Sequence, residues 1–245
     1  MSRERYAGRK IGLKVIFCLS IIVGIFALYQ LFEISRDNNS VKTEYKNLEK
    51  YVQSDGPTED KEDLKSDDSS FAVDFEKLQS ENPDCIAWIH FPDLSISYPV
   101  LQGEDNEYYL RHTFSGERSG AASIFMDAVN KSDFSDDNTF IYGHNMKDDS
   151  MFGLLDQYES EEFYRQNPGF YIYTPEKTMY FSIFSCYRAD VVAQDDSFSI
   201  SFDFKGDYME YVKLVEERSL YDTGIEAQSG EKMVTLMTCN RAGHR

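Results

Sequence analysis

Two residues of this sequence have the types and settings that nucleophilic catalysis requires. Cys239 follows the β-type run KMVTLMT, and a thiol at a strand end is held rigidly while it stays accessible to a substrate. His144 follows the run NTFIYG, where Gly143 lets the chain turn sharply and presents the imidazole at the rim. Because only the thiolate attacks, a cysteine nucleophile needs such a proton acceptor. The pair predicts cysteine catalysis, and a packed thiol beside a structural histidine is the alternative interpretation.

The other cysteines have settings that favour structural roles. Cys18 lies inside an apolar run, and packing is the expected role of Cys85, before a strand, and of Cys186, within the predicted strand FSIFSCYRA. The remaining histidines lie in an alternating strand, in a polar run and next to the last residue: His90, His112 and His244. No spacing of Cys and His indicates a metal site, and we expect no cofactor.

The elements that must position these residues are mainly strands. Short β-type runs are separated by turn residues, which predicts a barrel or sandwich over residues 71–245. The runs are CIAWIHF, SISYPV, AASIFMD, NTFIYG, GFYIYT, KTMYFSIFSCYRA and KMVTLMT. Two longer segments have helical patterns, SMFGLLDQYESEEFYRQ and DYMEYVKLVEERSLY. The domain is therefore predicted to be mainly β with helical inserts.

The folded domain is predicted to begin with a helix. Phe71, Phe75 and Leu78 recur at helical spacing, and the helix should stop at Asn82 because the residue before a proline disfavours helical backbone.

A basic and then apolar N-terminus predicts a membrane anchor. Five basic residues and one glutamate occupy residues 1–14, and an apolar run of bilayer length fills residues 15–32. A cleaved signal peptide is the alternative, but the apolar run is long for one and no small-residue cleavage site follows it. The positive-inside rule then leaves the N-terminus in the cytoplasm and the rest of the chain outside.

Residues 33–70 are polar and rich in charge, which predicts a stalk. One helical patch interrupts it, with Val41, Tyr45, Leu48 and Val52 on one face. The whole chain carries a formal charge of −18, and a surface this acidic argues against nucleic-acid binding.

The segments TLMTC and YGHNM together resemble the signature motifs of sortases, the cell-wall transpeptidases of Gram-positive bacteria. Thr235, Leu236, Thr238 and Cys239 match all fixed positions of the family's T-L-x-T-C motif, and the histidine motif lies upstream as it does in the family. The sequence from about residue 74 to Cys239 is similar to that of class B sortases in particular. It includes NPDCIAWIHFPDLSISYPVLQGEDNEYYL, NTFIYGHNMKDDSMFGLLDQY and the helical insert before the last strand.

The resemblance implies a closed eight-stranded β-barrel and a cysteine transpeptidase. Sortases cleave an LPxTG- or NPxTN-like sorting signal after its threonine, form a Cys thioester and pass the acyl group to an amine. Carried onto this chain, Cys239 is the nucleophile and His144 its proton partner. Asn145 is either an orienting group for the histidine or a solvent-facing turn residue. The implied partners are surface proteins that bear sorting signals and an amine of the peptidoglycan cross-bridge or of a pilin.

The family's site also contains an arginine, which lies on a strand after the cysteine and stabilises the oxyanion. Only NRAGHR follows Cys239, so the resemblance predicts that the last barrel strand and its arginine are missing, as in a truncated or frame-shifted sortase. A membrane-tethered pseudoenzyme that binds sorting signals is the first alternative. An active enzyme in which Arg241 or Arg245 reaches the site is the second. A papain-like protease is disfavoured because its nucleophile would precede its histidine.

Overall fold

The computed structural model describes residues 2–54, 71–189, 199–202 and 204–238. The described helices are α1 (Ser2–Leu48), α2 (Phe75–Glu81), α3 (Glu161–Gln166) and α4 (Lys205–Arg218), with short 3₁₀ helices at Glu49–Tyr51 and Gly153–Glu159. The described strands are β1 (Val52–Ser54), β2 (Phe71–Val73), β3 (Cys85–His90), β4 (Ser97–Leu101), β5 (Ile124–Met126), β6 (Asn138–Tyr142), β7 (Gly169–Tyr173), β8 (Thr178–Ser182) and β9 (Met233–Met237).

Seven of these strands form one sheet that is nearly closed into a barrel. Their order is β8-β7-β3-β4-β5-β6-β9, and β1 pairs separately with β2. Most neighbours are antiparallel, but β4 pairs with β5 and β6 with β9 in parallel. The predicted mainly β barrel with helical inserts is confirmed, and seven of its strands lie in the described part of the chain.

The core is filled by apolar side chains from the middle of the sheet. Trp88, Ile89 and Ile141 have no more than a trace of exposed surface, and Phe152 packs beside them from the loop that follows β6. The strand β3 is buried along nearly its whole length because it lies in the middle of the sheet. Burying each such side chain contributes roughly 1.5–3 kcal/mol to folding.

The second long insert is the helix α4, which covers the start of β9. Tyr208, Tyr211, Val212 and Val215 of α4 are buried in a small cluster with Met233, the first residue of β9. The helix α4 therefore packs against the start of the strand that leads to the cysteine motif.

Two local predictions were wrong, and the first helical insert is helical but not continuous. Phe71 lies in β2 rather than in a helix, and α2 begins at Phe75, where the Asp74 carboxylate caps the helix by accepting from Lys77 N. The first helical insert is split into a 3₁₀ helix and α3. The strand β8 ends at Ser182, so Cys186 follows the strand instead of lying in it.

The helix α1 runs from the apolar N-terminal segment to the barrel without interruption. Its apolar residues between 17 and 34 are largely exposed, and it is long and apolar enough to cross a membrane. The predicted helical patch is confirmed for Val41, Tyr45 and Leu48, which are buried in the core cluster, while Val52 lies in β1. This part of residues 33–70 therefore packs on the barrel, and residues 55–70 lie outside the described ranges.

Candidate active site

The parallel pairing of β6 and β9 brings the two predicted motifs to the same edge of the sheet. Tyr142 is opposite Met237, and the Gly143 N–H continues the ladder by donating to the Met237 carbonyl over 3.0 Å. The carboxyl ends of both strands therefore point the same way. His144 stands two residues beyond the end of β6, and Cys239 stands two residues beyond the end of β9. Cys239 itself lies outside the described residues.

The imidazole of His144 is fixed by a backbone carbonyl. Its Nε2 lies 2.9 Å from the carbonyl oxygen of Leu110, and the side chain is half-buried. A carbonyl oxygen only accepts hydrogen bonds, so Nε2 must carry a proton. In the neutral ring the lone pair is then on Nδ1, which is the nitrogen left to exchange a proton with a thiol.

The loop after His144 folds back on the histidine. The His144 carbonyl accepts from the Phe152 N–H over 3.1 Å, and Asn145 pairs with Met151 in an isolated antiparallel bridge. Met151 and Phe152 are buried and anchor the far side of the loop. Asn145 is half-buried in this bridge, and an orienting role for it stays a prediction.

Gly143 is required where the strand β6 turns towards His144. A Cβ atom at this position would overlap the side chains of Ile124 and Phe152, which are both fully buried. We expect Gly143→Ala to destabilise the protein by about 1–3 kcal/mol, because a packed core resists an added methyl group. Urea unfolding would measure this loss.

Gly206 provides the matched control for this substitution. It lies in the first turn of α4, and a Cβ there would meet no described atom within 4 Å. Gly206→Ala should be neutral or should stabilise the helix by up to about 1 kcal/mol. Equal effects of the two substitutions would contradict the tight packing inferred at Gly143.

Sequence analysis missed a buried amide that fixes the register of β6 against β9. Asn138, the first residue of β6, is completely buried, and its Oδ1 accepts from the Thr235 hydroxyl over 2.8 Å. Its Nδ2 donates to the Ser199 carbonyl and to the Tyr211 hydroxyl, each over 3.1 Å. An asparagine that opens an apolar strand was the only available signal. This amide ties both motif-bearing strands to α4.

We expect Asn138→Ala to lower the free energy of unfolding by about 1–3 kcal/mol, because it removes the three hydrogen bonds by which the buried amide joins Thr235, Ser199 and Tyr211. Asn39→Ala is the control, since Asn39 lies exposed on α1 and its loss should change stability by less than about 0.5 kcal/mol. Urea unfolding of both variants measures the difference. If Asn138→Ala were as stable as the control, the amide would not hold the register.

Tyr142 is tied to a buried carboxylate beside the site. Its hydroxyl donates to Asp127 Oδ2 over 2.7 Å, and the same oxygen accepts from the Asn106 amide over 2.9 Å. Burial and the bond to Asp127 raise the pKa of Tyr142 well above its usual value, so this phenol stays neutral at physiological pH.

Cys85 and Cys186 do not suit the role of nucleophile. Burial raises the pKa of Cys85 to about 12, and it also raises the pKa of the half-buried Cys186. Both thiols are therefore protonated near neutral pH, as expected of packing residues.

His90 and His112 are held by structural contacts. His90 is half-buried in β3, where its ring stacks on Phe71 at 4.4 Å. His112 stacks on Tyr108 at 4.2 Å. Three further candidates lie outside the described ranges, namely Arg241, His244 and Arg245. Among the described residues, no group of three or more His, Cys, Asp and Glu side chains could hold a metal ion.

Comparison with known proteins gives the family that the two sequence motifs resemble. The model of the sortase domain matches residues 89–245. Sortase B of Listeria monocytogenes is 36% identical over 165 residues, which cover 66% of this chain and 65% of that protein. The chain thus spans slightly less than two thirds of this relative.

Solved structures with the same fold include two further relatives. A Bacillus anthracis protein described as similar to sortase B has a TM-score of 0.70 and 32% identity, with 84% of this chain and 91% of that chain covered. A Staphylococcus aureus sortase B–substrate complex has a TM-score of 0.65 and 29% identity, with 69% of this chain and 78% of that chain covered. The matched domain, the barrel and the relatives lead to one conclusion: the chain belongs to the sortase family, within its class B.

Proposed function

We propose that this protein is a membrane-anchored cysteine transpeptidase. It cleaves an LPxTG- or NPxTN-like sorting signal after threonine and transfers the surface protein to a cell-wall amine. The main support for this proposal is the parallel register of β6 and β9. It directs the histidine motif and the cysteine motif to one edge of the barrel. A related Staphylococcus aureus sortase B has been solved as a substrate complex, which supports a substrate site on this barrel.

In the proposed reaction, His144 takes the thiol proton of Cys239, and the sulfur attacks the carbonyl carbon of the substrate threonine to form a tetrahedral oxyanion. The bond from that carbon to the leaving nitrogen breaks, and His144 gives the departing amine its proton. The result is a thioester. An incoming amine then attacks the same carbon, gives its proton to His144 and releases the cysteine.

The contact of His144 with Leu110 suits this exchange. The carbonyl accepts from Nε2–H in both protonation states of the ring, so it orients the imidazole throughout the exchange. We assign proton transfer to Nδ1.

We further propose how the chain is arranged at the cell surface. Residues 1–14 face the cytoplasm, residues 15–32 cross the membrane once, and the polar residues 33–70 connect this anchor to the extracellular catalytic domain at residues 71–245. The exposed apolar surface of α1 supports the crossing.

A peptide panel tests the function. The full chain in detergent micelles would be incubated with LPxTG-like and NPxTN-like peptides and an amine acceptor, and products would be followed by liquid chromatography and mass spectrometry. Cleavage after threonine with transfer to the amine is the expected result. Peptide binding without cleavage would instead support a pseudoenzyme that only recognises sorting signals. If the folded chain neither bound nor cleaved any peptide, the proposed substrate class would be wrong.

A further inference from the structure

The helix that leaves the membrane contacts a long loop that reaches the candidate site. This loop, residues 102–123, connects β4 to β5 and carries Leu110, the hydrogen-bond partner of His144. Tyr45 of α1 is 6% exposed, and its hydroxyl lies 2.9 Å from the Ala122 carbonyl and 3.0 Å from Ser123 Oγ. The far end of the loop is therefore held by α1.

A short series of hydrogen bonds leads from Tyr45 to the turn that carries Leu110, the partner of His144. Ser123 donates its hydroxyl proton to the His112 carbonyl over 2.8 Å, so its oxygen shares the single hydroxyl proton of Tyr45 with the Ala122 carbonyl. The Ser123 N–H donates to the Tyr109 carbonyl over 3.2 Å. Ser123 thus holds the residues on both sides of Leu110.

The Tyr45 and Ser123 part of this series is shielded from water. Ser123 is 1% exposed, and burial raises the pKa of Tyr45 well above its ordinary value, which keeps its hydroxyl as a proton donor. Buried hydrogen bonds of this kind are costly to leave unmade. Ala122 has a φ of 53°, a left-handed backbone that surrounding contacts must maintain.

The same helix also contacts the loop that follows His144. Lys42 Nζ lies 2.8 Å from Asp148 Oδ2. Asp149 and Met151 of that loop have φ values of 63° and 53°, and so they too need support from their surroundings. One face of α1 therefore contacts both segments that determine where the imidazole lies.

We propose that Tyr45 is a positioning residue for His144. Its hydroxyl holds Ser123, Ser123 holds the turn at residues 109–112, and this turn keeps the Leu110 carbonyl where it fixes Nε2–H. The segment that joins the membrane anchor to the barrel is thereby a part of the catalytic apparatus. The inference rests on the proposed role of His144.

Tyr45→Phe removes the hydroxyl and retains the buried ring. We expect kcat to fall roughly tenfold with an unchanged KM, because a misplaced catalytic group slows the chemical step while Tyr45 lies away from the substrate. Ser123→Ala should have the same effect. Tyr158→Phe is the matched control, since the Tyr158 hydroxyl also donates from a buried site to a backbone carbonyl, that of Asn167 at 2.8 Å.

A second measurement does not depend on activity. The ¹⁵N shifts of the His144 ring in the Cys239→Ala chain report its tautomer, with His144→Gln used to assign the signals. We expect the Nε2–H form, and we expect a mixture of tautomers once Tyr45→Phe is added. This measurement tests the role of Tyr45 even if the chain turns over no peptide.

Two results would overturn the proposal. One is a Tyr45→Phe chain with the tautomer of the unaltered protein. The other is a kcat for Tyr45→Phe that equals that of Tyr158→Phe. A mixed tautomer with no turnover by the unaltered protein would retain the positioning role and reject the proposed function.

Discussion

Cys239→Ala is expected to abolish turnover of sorting-signal peptides and to leave peptide binding intact. The substitution removes the sulfur that we assign to the thioester, so the loss should reach the background of the uncatalysed reaction. Barrel stability should change little, because the described core is built from other residues. Peptide cleavage and peptide affinity, measured on the same preparation, give the two quantities.

Cys186→Ala is the control for this substitution. Cys186 is half-buried and its pKa is raised by burial, so its removal should leave the cleavage rate within about twofold of the unaltered protein. Turnover that survived in Cys239→Ala but disappeared in Cys186→Ala would show that the nucleophile had been assigned to the wrong cysteine.

His144→Ala is expected to lower the cleavage rate by about 100- to 10,000-fold, the usual contribution of a positioned acid–base group. Without the imidazole, the leaving amine receives no proton and the thiol loses its acceptor. The fold should persist, since the described polar contact of the ring is a single hydrogen bond to a loop carbonyl. Steady-state kinetics and thermal unfolding would separate a catalytic loss from a structural one.

His90→Gln is the matched control for the histidine. His90 lies in β3, which is separated from β6 by β4 and β5, so the cleavage rate should stay within about twofold. Similar losses in both variants would indicate a general disturbance of the barrel rather than a role of His144 in proton transfer.

The sequence predicted most of the strands because their patterns are strong. Alternating or continuous apolar runs identified β3, β4, β5, β6, β7 and β9. Phe71 was misassigned because its spacing to Phe75 fits a helix as well as a strand that ends before one. Asp74, a residue type common at helix N-caps, was the signal that α2 starts later. The end of β8 could not be predicted from the sequence, because the apolar residues after Ser182 pack on the core without pairing as a strand.

The sequence predicted only those parts of the candidate site that depend on the identity of a side chain. The motifs YGHNM and TLMTC were sufficient to predict the histidine and the cysteine. Leu110 could not be found, because it acts through its carbonyl group and every residue has one. Tyr45 was predicted to lie on the apolar face of a helix, but its hydrogen bonds depend on where α1 docks. Long-range partners of this kind have no local sequence signal.

The most direct test of the central claim is the intact mass of the full chain after incubation with a sorting-signal peptide and no amine acceptor. We predict that the mass increases by that of the peptide's acyl fragment ending at threonine, less the thiol hydrogen that it replaces. This increase should be absent in Cys239→Ala and should disappear when an amine is added. A folded chain that bound the peptide and gained no mass would contradict thioester catalysis, and an adduct that persisted in Cys239→Ala would contradict the assignment of the nucleophile.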